Sequence, residues 1–402
     1  MDFKRKISYV LILITNVYLY YYSYRYILKY NSTVTSPTYQ NTPTLFKIAK
    51  YAIIFLLLTI FVLYVIKKKI KIRGKKILVF LALLTLIIQE LYCFVIARGF
   101  DQIMFVFLML PPFFMILFDN KIEAKMLDKT FEIFVYISIV YELIQILLYY
   151  AIGRLPALAY DTGVITDVRY GSVWDDPNGF GIFLLFLIPY SFLKFKGMKK
   201  IIIVTILVGL LVLTWSLTAF LAAIIVGIFA ISVSILKDTK RNIIIYILTI
   251  FAIIVGFIVS LLKIDSIVTL YENKLGSITE HLESFRFDNF TIYQLIGILP
   301  RGATMESGAV RLIYIGGIVH FVLFYVISII AIIKIRILSK NSSYSRIYLS
   351  AFWFMIAFII ASFNLPTMYN FTIFGIYCIF IGIAFKPLEE NESLTEGGVL
   401  YG

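Results

Sequence analysis

The sequence predicts an all-α membrane protein, a polytopic helical bundle with about twelve transmembrane helices. First, 61% of its 402 residues are apolar and only 15% are charged, whereas a globular domain has about 45–50% apolar and about 25% charged residues. Second, the apolar residues occur in runs of about 20, the length that a helix needs to cross a bilayer. Third, lysine and arginine are concentrated in the short breaks between these runs. Together these observations exclude a water-soluble fold.

The apolar runs define the candidate spans in order along the chain. They are 7–28, 45–66, 77–97, 102–118, 130–152, 178–193, 201–216, 218–236, 243–263, 308–333, 347–363 and 367–385. Each span must be helical, because hydrocarbon offers the backbone no other hydrogen-bond partners. At the tight turns 99–101, 216–218 and 364–366 the flanking runs could form one bent helix, so the expected number is about ten to twelve.

The distribution of basic residues predicts the orientation. Most of the 37 lysine and arginine residues lie in alternate segments between the spans, and such segments stay in the cytoplasm. Both termini are therefore expected in the cytoplasm, and the long loops 153–177 and 264–307 outside it. This topology also explains the net charge of +14, so we expect no nucleic-acid partner.

The remaining composition limits the chemistry. Two cysteines and two histidines are too few for a disulfide framework or a zinc site built from these residues, so we expect neither a metal nor a cofactor. Residues 1–386 are predicted to form a single membrane domain with an extracytoplasmic cap loop. The polar segment 387–402 is predicted to be a disordered cytoplasmic tail.

The stretch 167–181 leads from the first long outer loop directly into a span. Asp176 or a neighbour can cap the helix that begins near Asn178, with Pro177 in its first turn. The free amides of such a helix start favour a phosphate, and Arg169 can donate to the same phosphate oxygens. An ordinary helix start, with Arg169 reaching to lipid headgroups, is the alternative explanation.

The second outer loop, 264–307, mixes apolar and charged residues, which indicates a packed cap rather than a plain connection. It contains Arg286 and Arg301. Where it returns to the membrane, Glu306 and Arg311 flank the start of a span, and an acid with arginines can position an anionic, sugar-bearing lipid. A salt bridge between Glu306 and Arg311 explains the same pair equally well.

Glu142 is the deepest acid in a predicted span. A carboxylate at that depth is costly unless it is paired or lies in a wet cavity. Gln145 shares its helix face, so this face is expected to point away from lipid, toward an acceptor groove. A structural pairing with Arg25 or Arg98 is the alternative.

The two outer stretches resemble the O-antigen polymerase and O-antigen ligase superfamily, which includes polymerases of bacterial capsule and exopolysaccharide. Residues 169–181, Arg-Tyr-Gly-Ser-Val-Trp-Asp-Asp-Pro-Asn-Gly-Phe-Gly, are similar to the R-x-x-G-x-x-x-x-P-N-x-x-G segment of the family, except that the first glycine comes one position early, at Gly171. Residues 306–311, Glu-Ser-Gly-Ala-Val-Arg, are similar to its acidic-S-G-x-x-R entry into a late span. At the turn that often reads T-x-S-R in the family, Leu217 stands in place of the arginine.

The resemblance implies a membrane glycosyltransferase. It would move a glycan from an undecaprenyl-pyrophosphate-linked donor to the acceptor sugar of another lipid-linked repeat unit, at the outer face of the cytoplasmic membrane and without a metal. Arginines aimed at the departing pyrophosphate would stabilise its charge. The candidates for the pyrophosphate site are Arg169, Arg286, Arg301, Arg311 and Asn178. The candidates for the catalytic base are His281, Glu306 and Asp176, and those for the acceptor groove are Glu142 and Trp174.

Two other functions remain open at this stage. A ligase of the same superfamily would transfer the finished chain to a different acceptor with the same donor chemistry. A flippase for the lipid-linked oligosaccharide would need broken helices and buried charges at the bilayer midplane. The partners implied by the resemblance are the lipid-linked oligosaccharide, a flippase that delivers it and a chain-length regulator.

Overall fold

The computed structural model describes residues 124–152, 159–161, 168–172, 177–235, 307–341, 344–365, 367 and 371–385. The predicted spans 7–28, 45–66, 77–97, 102–118 and 243–263 lie outside the described residues. So do the cap at 264–306 and the tail at 387–402.

The described part is built from helices and one small sheet. The helices are α1 Ala124–Ile152, α2 Pro177–Lys194, α3 Gly197–Leu213, α4 Leu217–Ile235, α5 Gly308–Asn341, α6 Ser345–Ser362 and α7 Phe371–Phe385. The strands β1 Ala159–Asp161 and β2 Val168–Tyr170 pair antiparallel. Neither strand is predicted from the sequence, because three residues are too few to show an alternating pattern.

Four helices of the described part contain a stretch long and apolar enough to cross a membrane. These stretches are Leu127–Leu147, Pro177–Lys194, Gly317–Lys340 and Ser345–Ser362. The all-α prediction is therefore confirmed for this part of the chain, and its apolar helices suit a lipid bilayer.

The described helices correspond to predicted spans, with shifted ends. Helix α1 begins at Ala124 rather than at 130, and α3 begins at Gly197 rather than at 201, because a helix continues past the apolar run into polar residues. The turns predicted at 216–218 and 364–366 each separate two distinct helices, but the first turn lies at residues 214–216, because α4 already begins at Leu217. At the first of them Trp215 takes a positive φ of 48°, which ends α3 and redirects the chain into α4.

Helix α5 departs from the single span predicted at 308–333. Its backbone is broken at Gly317, where φ is 70° and ψ is 169°, a conformation that is essentially limited to glycine. A short helical segment, 308–316, therefore precedes the stretch Gly317–Lys340, which is long and apolar enough to cross a membrane. That stretch also extends past residue 333, because the helix continues through the basic residues that follow the apolar run.

Helices α2 and α6 form the centre of the described bundle. About two thirds or more of their spanning residues are buried, 72% in α2 and 67% in α6, against 39% in α1. Aromatic rings from four helices meet there, with Phe186 of α2 in contact with Phe131, Phe354 and Phe380. These ring contacts fix α2 and therefore the residues at both of its ends.

One end of the bundle, which we call the basic end, is held by a buried acid. Asp128 accepts hydrogen bonds from Arg346 at 2.8 and 2.9 Å, from Lys194 and from the hydroxyl of Tyr190 at 2.9 Å. Lys194 also pairs with Glu132 at 3.3 Å. Residues from three of the basic breaks between the predicted spans, Asp128, Lys194 and Arg346, thus meet at one end of the bundle.

Candidate functional site

The opposite end, which we call the polar end, is where α2, α4 and α5 begin. The hairpin of β1 and β2 delivers Arg169 to it, with Arg169 opposite Tyr160 in the register. After β2 the chain turns inward, so that Tyr170 and Ser172 are buried at 2% and 0% exposure. Ser172 adopts a positive φ of 52° and donates its hydroxyl to the carbonyl of Ser138 on α1, at 3.0 Å. We refer to 168–172 as the re-entrant segment.

Arg169 is held between α2 and the turn that follows α3. Its Nε donates to the carbonyl of Thr214 at 3.0 Å, and one Nη donates to Oδ1 of Asn178 at 2.7 Å. Both acceptors are neutral oxygens, and the two bonds fix the plane of the guanidinium. Arg169 and Asn178, both candidates for the pyrophosphate site in the sequence analysis, are thus in direct contact.

Asn178 is itself positioned by a serine that sequence analysis did not assign to the site. The hydroxyl of Ser216 donates to Oδ1 of Asn178 at 2.8 Å and accepts the backbone N–H of Ala219 at 3.2 Å. The second contact makes Ser216 the N-cap of α4. The turn after α3 therefore contributes two groups to the site, the capping hydroxyl of Ser216 and the carbonyl of Thr214. The side chain of the next residue, Leu217, is 38% exposed.

Hydrogen bonds connect this cluster to the start of α5. Asn364, just after α6, donates to the hydroxyl of Thr218 at 2.6 Å. Its neighbour Phe363 accepts a hydrogen bond from Ser307 at 2.7 Å, and Ser307 also caps α5 through the backbone N–H of Val310 at 3.4 Å. The three motif regions of the sequence analysis, 169–181, 214–217 and 306–311, thus lie at the same end of the bundle.

Helices α2 and α4 approach each other closely next to this cluster. A Cβ built on Gly181 would lie 2.6 Å from the Cβ of Ala219 and 3.2 Å from the hydroxyl of Thr214. A contact of 2.6 Å is shorter than real Cβ atoms show, so only glycine fits there. This explains physically why the last position of the 169–181 motif is a glycine.

Glu142 lies on α1 against the re-entrant segment. Its side chain is fully buried, and neither carboxylate oxygen makes a hydrogen bond with the residues that the structure describes. The backbone N–H of Ser172 lies near this carboxylate and interacts with it electrostatically. Arg25 and Arg98, the predicted alternative partners, lie outside the described residues.

The remaining predicted site residues are distributed as follows. Arg311 lies in the short first segment of α5, but its side chain is outside the described part. Also outside the described residues are His281, Glu306, Asp176, Arg286, Arg301 and Trp174. In the segments that the structure does describe, no group of three or more His, Cys, Asp or Glu side chains could hold a metal ion.

Comparison with models of known families, with curated proteins and with solved structures finds no match to this chain. The functional assignment therefore depends on the geometry of the polar end and on the motifs quoted above.

Proposed function

We propose that the chain is a polysaccharide polymerase of the cytoplasmic membrane. It would transfer a glycan from an undecaprenyl-pyrophosphate-linked donor to the acceptor sugar of another lipid-linked repeat unit. The observation that carries the proposal is the guanidinium of Arg169, fixed by Asn178 and Thr214 at the end of the bundle where three motif regions meet.

The electrostatics of the polar end favour a pyrophosphate. Helices α2, α4 and α5 all begin there, and a helix start carries a partial positive charge of about half a unit. Free amides at helix starts bind phosphate oxygens directly. Arg169 adds a full charge with donors in a planar fork that matches these oxygens.

This arrangement supports a specific role in the reaction. When the anomeric carbon of the donor separates from its phosphate oxygen, negative charge develops on the pyrophosphate. A cation already held in place stabilises that charge without having to reorganise, which is often the largest contribution to catalysis. Arg286, Arg301 and Arg311 are the further arginines that we propose for this site.

The location of the basic end supports an extracytoplasmic reaction. Lysine and arginine flanking spans are retained in the cytoplasm, and Lys194 and Arg346 lie at the end opposite to Arg169. With the basic end in the cytoplasm, both termini are cytoplasmic and the donor is used at the outer face. A flippase would then deliver the donor, and a chain-length regulator would limit the product.

Two observations favour the flippase as a second candidate function. Transporters use interrupted helices and intramembrane charges, and α5 is interrupted at Gly317 while Glu142 is buried on α1. The ligase alternative shares the donor site of the polymerase and differs only in the acceptor.

Reconstituted protein separates these functions. The donor is the lipid-linked oligosaccharide that accumulates in cells from which the gene is deleted, added only to the outer leaflet of proteoliposomes. Formation of longer lipid-linked chains is the polymerase result. Movement of the donor across the bilayer without chain growth is the flippase result and contradicts the proposal, whereas transfer only to a separate acceptor indicates a ligase.

Two variants test the site itself. Arg169→Ala should slow chain growth by about 100-fold or more, and Arg169→Lys should remain well below wild type because an ammonium cannot hold both bonds. The matched control is Arg336→Ala, which removes an arginine that lies over the ring of Phe352 at 5.1 Å. It should keep normal activity. Near-normal chain growth in Arg169→Ala would refute the assignment.

A further inference from the structure

Helix α1 carries a buried polar stripe that includes Glu142, a candidate for the acceptor groove to which no chemical step has been assigned. Ser138, Glu142 and Gln145 are spaced at i, i+4 and i+7, so they share one face of the helix. Each is 1% exposed or less, whereas Leu143, Ile144 and Leu147 on the opposite side are 45 to 64% exposed. The stripe therefore faces into the protein, at the depth of the membrane-spanning stretch Leu127–Leu147.

Glu142 stands out among the carboxyl side chains that the structure describes. Asp128 and Glu132 are both ion-paired at the basic end. Glu142 is fully buried, and its oxygens make no hydrogen bond with any described residue. A buried polar group without hydrogen bonds carries a large desolvation cost. Such a cost is retained at sites where a ligand supplies the missing donors.

The re-entrant segment connects Glu142 to the Arg169 cluster, by which we mean Arg169 with its hydrogen-bonded neighbours Asn178, Thr214 and Ser216. Arg169 is tied to α2 and to the turn after α3, while Ser172 is tied to α1 through Ser138 and faces Glu142. Three residues of extended chain span at most about 11 Å. The Cα atoms of Arg169 and Ser172 are therefore at most about 11 Å apart, so one short segment of chain contacts both the Arg169 cluster and Glu142.

We propose that Glu142 accepts the proton of the attacking acceptor hydroxyl. This inference rests on the proposed function and adds the base to it. The acceptor oxygen forms a bond to the anomeric carbon of the donor, while the bond from that carbon to the phosphate oxygen breaks. The electron pair of the broken bond leaves on the pyrophosphate beside Arg169, and the hydroxyl proton passes to Glu142, which later releases it to water.

The test compares transfer with donor binding in proteoliposomes. Glu142→Gln keeps the shape of the side chain and removes its ability to accept a proton. Its chain-growth rate should fall by roughly 100-fold to 10,000-fold, the range for a general base. Its affinity for undecaprenyl pyrophosphate, measured by native mass spectrometry, should stay within about threefold of wild type, because the Arg169 cluster is intact.

Two further variants distinguish the loss of a proton acceptor from a folding defect. Glu132→Gln alters a carboxyl on the same helix, outside the polar end, and should transfer normally. Glu142→Asp keeps a carboxylate one methylene shorter and should transfer faster than Glu142→Gln. A normal rate in Glu142→Gln, an equal loss in Glu142→Asp, or a parallel loss of pyrophosphate binding would each overturn the inference. Wild-type protein that extends no donor would instead refute the proposed function.

Discussion

The close approach of α2 and α4 at Gly181 gives the sharpest prediction about the architecture of the polar end. Gly181→Ala places a Cβ 2.6 Å from the Cβ of Ala219, whereas ordinary contact begins at 3.4 Å. The helices must separate by about 0.8 Å to restore contact, which is the overpacking that costs about 1–3 kcal/mol in well-packed cores.

The same displacement would damage the Arg169 cluster. Along the bond from Ser216 to Asn178, which is 2.8 Å long, a shift of that size gives about 3.6 Å, beyond hydrogen-bond range. Asn178 would lose the contact that positions it beneath Arg169. We therefore expect Gly181→Ala to lower both the free energy of unfolding and the rate of chain growth.

A double-mutant cycle measures this coupling. Ala219→Gly removes the opposing methyl group and alone should cost about 1 kcal/mol as a helix-interior glycine. Combined with Gly181→Ala it should restore most of the lost stability, so the two changes are strongly non-additive. Gly209→Ala is the control, because its added Cβ meets nothing within 4 Å. The assay is unfolding in detergent, and equal stability of Gly181→Ala and Gly209→Ala would refute the packing argument.

Two other substitutions test elements of the fold by the same unfolding assay. Asp128→Asn leaves Lys194 and Arg346 without their shared acid and should cost about 3 kcal/mol, the low end for buried pairs, because the Arg346 side chain is 34% exposed. The Glu132 side chain is 30% exposed, so Glu132→Gln should cost less than about 1 kcal/mol. A similar loss of stability in both variants would contradict the conclusion that Asp128 is the main stabilising acid at the basic end. Gly317→Ala forces a side chain onto φ 70° and ψ 169° and should cost about 1–3 kcal/mol, or straighten α5. Gly375→Ala, where an added Cβ meets nothing within 4 Å, is its control, and equal stability of the two would show that the break is unimportant.

Hydropathy alone predicts the spans of α2, α4 and α6 to within a few residues, since the apolar run sets where each helix enters and leaves the membrane. It cannot predict the break in α5, because Gly317 lies within an apolar run and its unusual φ and ψ leave no trace in hydropathy. The sequence does not predict the hairpin of β1 and β2 either, because its three-residue strands are too short to show an alternating pattern.

The candidate site is predictable only where its residues are close in sequence. Arg169 and Asn178 are nine residues apart and belong to one recognisable motif, and they do form a hydrogen bond. Their contacts with Thr214 and Ser216 cross 45 and 38 residues, and that of Asp128 with Arg346 crosses 218. Such contacts follow from the tertiary packing of helices, which the order of the residues does not reveal. The burial of Ser172 beside Glu142 is unpredictable for the same reason.

A density map of the full chain with undecaprenyl pyrophosphate bound tests the central claim most directly, because cations lie at both ends of the bundle. The proposal predicts phosphate oxygens within about 3 Å of the Arg169 guanidinium, near the start of α2. Phosphates found instead at the basic end, beside Lys199 and Lys200, would contradict it.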